Sequence, residues 1–493
     1  MPYQIFPRPQ SIQYPGGTVL TGELPFIRDE SLPEQGYKIL LTENAQEIYC
    51  ADAPGERYAR QTLAQILGHA DFQKTAGLEA ECVIIEDAPA ILRRGVQLDI
   101  SRCKVPTLET LFRVVDILSG MRINELQLYI EGYSYAYEGW EESFPGETPV
   151  SREELARLRA YAAERFITLI PNMNCFGHMD AWLALPELNR LAECPDGFPF
   201  QGLYHRAAGT VDPNDGEAFD FVRGLCDDLL RGFGNPPEGE QPPMFNANLD
   251  EPFELGMGKS REAVEQGGKI SVYSDYVNKL NDYINAKGFD VMIWGDVVYA
   301  HPESVGLLPG NITLLDWLYE GAGRFERRAK IASEAGFRFY VCPGTSSWRS
   351  FLGRSGNMKE NILDAADTAR RFGAYGLMVT DWGDNGHWQY LPVSYPGYAF
   401  AAAYSWNPHT GDGEIFNYLD EHVFRDASRR FSRLLYELGD YYKEEKSVSF
   451  NTTEAFYLMT CQYPAPTSGA LDEALETLAK KNRFIAEENG IPY

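Results

Sequence analysis

Histidine is scarce in this chain. There are seven in 493 residues, with no HExxH segment and no pair at ligand spacing, so a catalytic metal centre has no ligand set to begin from. No GxSxG segment is present either, which removes the serine nucleophile elbow. The eight cysteines (Cys50, Cys82, Cys103, Cys175, Cys194, Cys226, Cys342 and Cys461) are scattered without a CxxC pair. That spacing suggests neither a disulfide framework nor a zinc ribbon, and reads as reduced, mostly buried thiols. Basic charge is also short: 44 Lys and Arg against 71 Asp and Glu leave a formal net charge of −27. A surface of that sign repels nucleic acid and anionic membranes, so neither is expected as the main partner. The opening MPYQIFPRPQSIQYPGG has no basic start followed by an apolar run, and no window reaches the roughly 18 to 20 apolar residues of a membrane span. The expectation is a cytoplasmic protein with no cofactor.

What the chain does have is apolar content of 44%, aromatic content of 13%, and Trp and Tyr concentrated between residues 129 and 406. Residues 1–90 mix short β-like runs with one helical run, GERYARQTLAQILGHA, and read as a small α/β domain. Over 91–410 an apolar strand, a polar or aromatic loop and an amphipathic helix alternate. The strands are GVQLDI, INELQLYI, FITLIPN, MFNANLD, DVMIWGD, NITLLDW, FRFYVCPG and AYGLMVTD. Eight repeats of that unit are the sequence form of a (β/α)8 barrel, whose reaction site lies at the carboxyl ends of the strands. Residues 411–493, with FSRLLYELGDYYKEE and LDEALETLAKKNRFIAEENG, read as a helical C-terminal region.

In strand order, the predicted strand ends carry Asp99 and Arg102; Tyr129 and Glu131; Asn172, Asn174 and His178; Asp250 and Glu251; Trp294 and Asp296; Trp317 and Tyr319; Trp348; and Asp381, Trp382 and Asp384. Carboxylates and indoles thus share one rim, although loops are polar by default. Acidic pairs such as Asp29–Glu30 and Asp227–Asp228 recur elsewhere, so Asp250–Glu251 is distinguished by its address rather than its composition. Neighbours in a strand point to opposite faces, so both can face a pocket only if the chain leaves the pleat between them. Pro252 favours an extended or turning Glu251. The following GMGKS, Gly256 to Ser260, looks like the end of a phosphate loop, but the first glycine of that pattern is missing and two carboxylates precede it, so Gly256 and Gly258 read as turn residues. The long connections after strands two and three (GYSYAYEGWEESFPGETPV and Gly177 to Val211) have the length of functional walls or lids. For Trp140, Trp182 and Trp406 core packing is the expectation.

Carboxylates in a pocket walled by Trp and Tyr suit glycoside hydrolysis, since rings cover the C–H face of a sugar while charged groups bond its hydroxyls. A sugar-binding barrel without catalysis, and a glycosidase for a sugar lacking an acetamido group, are the alternatives.

RRGVQLDISRCKVP, FGHMDAW, NLDE and TDWGDNG followed by AFAAAYSW resemble the motifs of glycoside hydrolase family 20, the β-N-acetylhexosaminidases, over roughly residues 92 to 407. The resemblance implies a retaining exo-enzyme that removes terminal β-linked GlcNAc or GalNAc from a glycan or glycoconjugate through an oxazolinium intermediate. It implies Glu251 as general acid/base, Asp250 as the residue that polarises the acetamido group, Arg94 and Asp384 on sugar hydroxyls, and Trp294, Trp317 and Trp382 around the acetamido group. Tyr319 is the candidate for its oxygen, Trp348 joins the substrate-binding set, and His178 with Glu131 would stand behind Glu251. The chain departs from the pattern at Cys103, where His is usual, at Asn174, where Asp is common, and at Asp384, where Glu is frequent.

Overall fold

The computed structural model describes residues 3–22, 24–68, 77–200, 204–234, 242–321, 323–444 and 450–460. Within them, eight parallel strands form one sheet: Arg93–Asp99, Glu125–Tyr129, Thr168–Ile170, Met244–Asn246, Asp290–Trp294, Thr313–Trp317, Arg338–Cys342 and Gly376–Asp381. Numbered one to eight in chain order, they pair as neighbours, strand eight pairs with strand one, and a parallel bridge between Asn172 and Asn246 closes the ring between strands three and four. Nearly every strand residue is buried, because the barrel interior covers one face and helices cover the other. This is the expected (β/α)8 barrel.

The helices begin where the sequence supplies caps. Thr107 accepts the Thr110 N–H at the start of Leu108–Gly120, and Ser151 with Glu154 forms a capping box at the start of Arg152–Ala163. The alternation is thinnest after strand five, which is followed only by Asp296–Ala300 and a 3-10 turn, Pro302–Leu307. The described part of the helical C-terminal region holds the helices Asp412–Tyr418, Phe431–Leu438 and Glu454–Thr460, a π-helical turn Leu419–Phe424 and a 3-10 turn Tyr441–Glu444. The run LDEALETLAKKNRFIAEENG, Cys461 and residues 235–241, ahead of strand four, lie outside the described residues.

The N-terminal part is a five-stranded mixed sheet carrying the helix Ala53–Leu67. Strand Tyr37–Leu41 alternates buried and half-buried residues, so Tyr37, Ile39 and Leu41 meet Tyr58, Ala59 and Leu63 of that helix in a separate core. This domain is bonded to the lower end of the barrel by buried charge. Arg122 and Asp87 pair at 3.0 Å with neither side chain exposed; Asp87 also accepts from Tyr37 at 2.6 Å and from the Trp406 indole at 2.9 Å. Burial dominates at Asp87 and pushes its carboxyl up despite Arg122.

Candidate active site

At the upper end of strand four the backbone breaks its pleat. Asn248, Leu249 and Glu251 have φ of 61°, 65° and 50°, a left-handed conformation that costs a residue with a Cβ about 1 kcal/mol or more. Three contacts hold it. The Asn248 amide donates to Asn172 Oδ1 at 2.8 Å and accepts from Trp294 Nε1 at 2.8 Å, while Tyr273 donates to the Leu249 carbonyl at 3.2 Å. Gly177 lies so close that a Cβ there would sit 2.3 Å from the Asp250 carbonyl oxygen. This break puts the two adjacent side chains against one imidazole: His178 Nε2 is 3.4 Å from Asp250 Oδ2 and 3.4 Å from Glu251 Oε2.

Burial alone would lower the His178 pKa, but Asp250, Glu251 and Glu131 outweigh it and raise it well above the usual imidazole value. The imidazolium so held offsets part of the negative charge of the pair. Its other nitrogen is 3.8 Å from Glu131, and Glu131 accepts from Tyr129 at 3.0 Å and pairs with Arg102 at 3.0 Å. Arg102 is a second cation of the pocket: it also binds Asp99 at 2.7 Å and lies 3.6 Å from Asp384, with its guanidinium over the rings of Tyr129 and Trp382. Burial raises the Asp384 carboxyl, and the Arg102 and Arg349 charges oppose that rise.

Arg94 requires a correction. Strand one begins at Arg93, so Arg94 stands at the lower rim, a strand length from the pocket. It is fully buried there and donates to the carbonyls of Ile91, Leu92 and Arg122 and to Gln35 and Tyr58 of the N-terminal domain. Every face of its guanidinium is committed to joining the two domains. Arg102, eight positions on, has passed the carboxyl end of the same strand. Counting from the strand end would have selected it.

The aromatic residues gather as their addresses implied. Trp294 and Trp382 meet with ring centroids 5.9 Å apart, Tyr319 stacks on Trp317 at 5.3 Å, and Trp348 meets Tyr319 edge-on at 5.1 Å. The Trp382 indole donates to the Tyr319 oxygen at 2.8 Å, and the Thr380 hydroxyl is its second side-chain partner. The indole nitrogens of Trp317 and Trp348 are buried without a partner, and so is Asp250 Oδ1. Donors without acceptors and an acceptor without a donor, in one aromatic enclosure, match a group that has both: an amide. By contrast, Trp140 and Trp182 pack in a wall with Tyr133, Tyr137, Phe144 and Phe221, and Trp406 fills the domain junction.

The loop Gly256–Ser260 folds around an anion that the protein itself supplies. Gly258 and Ser260 donate their N–H groups to the buried carboxylate of Glu193 at 2.9 Å, and the Ser260 hydroxyl donates at 2.8 Å. A Cβ on Gly258 would approach the Glu193 carbonyl to 2.0 Å. Its glycines serve an internal contact, Gly256 by its φ of 84° and Gly258 by its closeness.

Two acidic residues of this region carry no assignment from the sequence. Asp381 accepts hydroxyl hydrogens from Thr345, Ser347 and Ser394 and from Tyr398, and braces the loop that carries Trp348 against strand eight. Asp296 accepts the Glu251 N–H at 3.1 Å. The signal for both was their strand-end position.

A parallel barrel with a carboxylate pair, a charged imidazole and indole walls at the strand ends defines the class of barrel glycosidases. The model of the glycosyl hydrolase family 20 catalytic domain matches residues 93–385. The chain belongs to glycoside hydrolase family 20. Among curated relatives, a beta-hexosaminidase of Akkermansia muciniphila is 27% identical over 38% of this chain and 41% of its own length, and one of Vibrio vulnificus is 23% identical over 60% and 40%. The chain therefore matches about two fifths of the length of these relatives. The fold is shared with the exo beta-N-acetylglucosaminidase of Vibrio harveyi (TM-score 0.67, 15% identity, 88% of this chain and 78% of that one). It is shared also with a beta-N-acetylhexosaminidase of Bacteroides fragilis (TM-score 0.64, 17% identity, 86% and 96%).

Proposed function

We propose that the protein is a retaining exo-β-N-acetylhexosaminidase that removes terminal β-linked GlcNAc or GalNAc from a glycan with the help of the substrate's own acetamido group. The observation that carries this reading is the buried, unpartnered Asp250 Oδ1 beside Glu251 in an enclosure that offers unpartnered indole N–H groups. Asp250 accepts the acetamido N–H and turns the carbonyl oxygen toward C1. Tyr319, whose oxygen is oriented by the Trp382 indole, donates to that carbonyl oxygen. Protonated Glu251 gives its proton to the glycosidic oxygen as the C1–O bond breaks and the carbonyl oxygen bonds to C1. The positive oxazolinium ion so formed lies next to the Asp250 carboxylate, a fixed charge that contributes several kcal/mol in a water-poor site. Ionised Glu251 then takes a proton from water, which attacks C1 from the face the leaving group vacated as the bond between C1 and the oxazolinium oxygen breaks; the acetamido group is restored and the configuration is retained. Arg102 and Asp384 bond the hydroxyls of the terminal ring, with Trp294, Trp317, Trp348 and Trp382 around the acetamido group and the ring.

The test is hydrolysis of aryl β-GlcNAc, β-GalNAc and β-glucoside with and without a thiazoline that imitates the oxazoline. Expected are turnover of the acetamido substrates, little of the glucoside, and inhibition by the thiazoline. Glucoside turnover insensitive to the thiazoline would point to a sugar without an acetamido group, and glycan binding without product release to a silent barrel. Glu251→Gln should reduce turnover by about 1000-fold or more, as loss of a general acid does, and Asp250→Asn should cripple it; full turnover in either variant overturns the assignment.

A further inference from the structure

We propose that Asp296 is the positioning residue of the acid/base: its carboxyl holds the Glu251 backbone in the left-handed conformation that keeps the Glu251 side chain in the pocket. This rests on the reading of Glu251 as acid/base. Glu251 has φ of 50°, which a residue with a Cβ leaves unless something retains it. The only side-chain acceptor that meets its N–H among the described residues is Asp296 Oδ2, at 3.1 Å. Asp296 is itself fixed. Gly295 donates to the Leu315 carbonyl at 2.8 Å, Trp294 N–H donates to the Asn248 carbonyl at 2.8 Å, and Asp296 opens the short helix that follows strand five. The acceptor therefore comes from a neighbouring strand, and strands four and five together set where the acid points.

The chemistry of the surroundings fits a holding role. Asp296 faces Asp250 and Glu251 with Tyr273 close by, and its Oδ1 is buried without a partner. Burial, then the negative charges of Asp250 and Glu251, push its carboxyl up to about 7. Below that value it accepts the N–H as a neutral acid, so the hydrogen bond adds no further negative charge to the cluster.

The experiment compares kcat/KM on two β-GlcNAc substrates, one with a dinitrophenyl leaving group that departs without a proton and one with an alkyl leaving group that requires it. Asp296→Ala should lose about 30-fold or more on the alkyl substrate, the scale of a misplaced catalytic group, and less than about 3-fold on the dinitrophenyl substrate. Asp296→Asn, which keeps a carbonyl acceptor, should stay within about 3-fold of the parent on both. Asp296→Glu moves the acceptor by one methylene and should reproduce the alanine pattern, which keeps the proposal testable if the alanine variant fails to fold. Equal losses on the two substrates, or no loss on either, overturn the proposal. If the unsubstituted enzyme hydrolyses neither substrate, it is the acid/base reading that fails.

Discussion

Two arginines eight positions apart do opposite work. Arg102 holds its charge in the pocket against Asp99, Glu131 and Asp384, while Arg94 spends its donors on carbonyls and side chains at the domain junction. Substituting each should separate the roles. Arg102→Ala removes a charged donor from the site and should lower kcat/KM by about 100-fold, with a thermal midpoint within a few degrees of the parent. Arg94→Met leaves buried carbonyls, Gln35 and Tyr58 without their donor and should cost about 3 kcal/mol of stability in denaturant unfolding. Its turnover per folded molecule should be unchanged. The reverse pattern, with Arg94→Met folded normally but inactive, would return the hydroxyl-binding role to Arg94.

At the scale of elements, the end of strand four decides the site. The carboxyls share a cavity because the chain turns left-handed at Leu249 and Glu251, and the space for that turn comes from Gly177 on the loop after strand three. Gly177→Ala would place a methyl 2.3 Å from the Asp250 carbonyl oxygen and push the pair out of line. A displacement of about 1 Å costs on the order of 100-fold in rate, so kcat should fall by that much while far-UV circular dichroism stays native. Parent-like activity would mean that the two loops are not in contact. All eight strands were legible as short apolar runs because parallel strands buried on both faces have that composition. The break at strand four was legible only as a requirement: two neighbours that must share a pocket cannot both lie in the pleat. Arg94 misled because a motif match carries no vertical coordinate; the strand's register puts Arg94 at its lower end, and Arg102 lies past its upper end. Asp296 and Glu193 act through backbone N–H groups, a partnership that side-chain spacing does not reveal.

For the whole molecule, the distribution of protons sets how stability depends on pH. Asp316, on strand six, is fully buried; burial pushes its carboxyl from an ordinary value near 3.8 up to about 7, and Arg328 at 3.3 Å only partly opposes this. Asp296 is pushed up to about 7 in the same way, and the raised His178 also keeps its proton in the folded state. A group whose folded pKa is raised stabilises the fold below its unfolded value and loses that contribution as pH rises through the folded value. For the two aspartates the loss falls between about pH 4 and pH 7, and for His178 it continues above the usual imidazole value. The net charge of −27 adds self-repulsion in the same direction. These groups should therefore make stability decline from mildly acidic to mildly alkaline pH, against a smaller opposing rise from His387 and His422, whose burial lowers their pKa. Asp316→Asn tests a part that lies outside the pocket, because asparagine keeps an acceptor for Arg328 and has no proton to lose. Its urea midpoint should lie close to the parent's at pH 4.5 and above it at pH 8, by a margin worth on the order of a few kcal/mol. If the two midpoints run parallel across that range, Asp316 ionises in the folded protein as readily as in the unfolded chain, and the decline has its origin elsewhere.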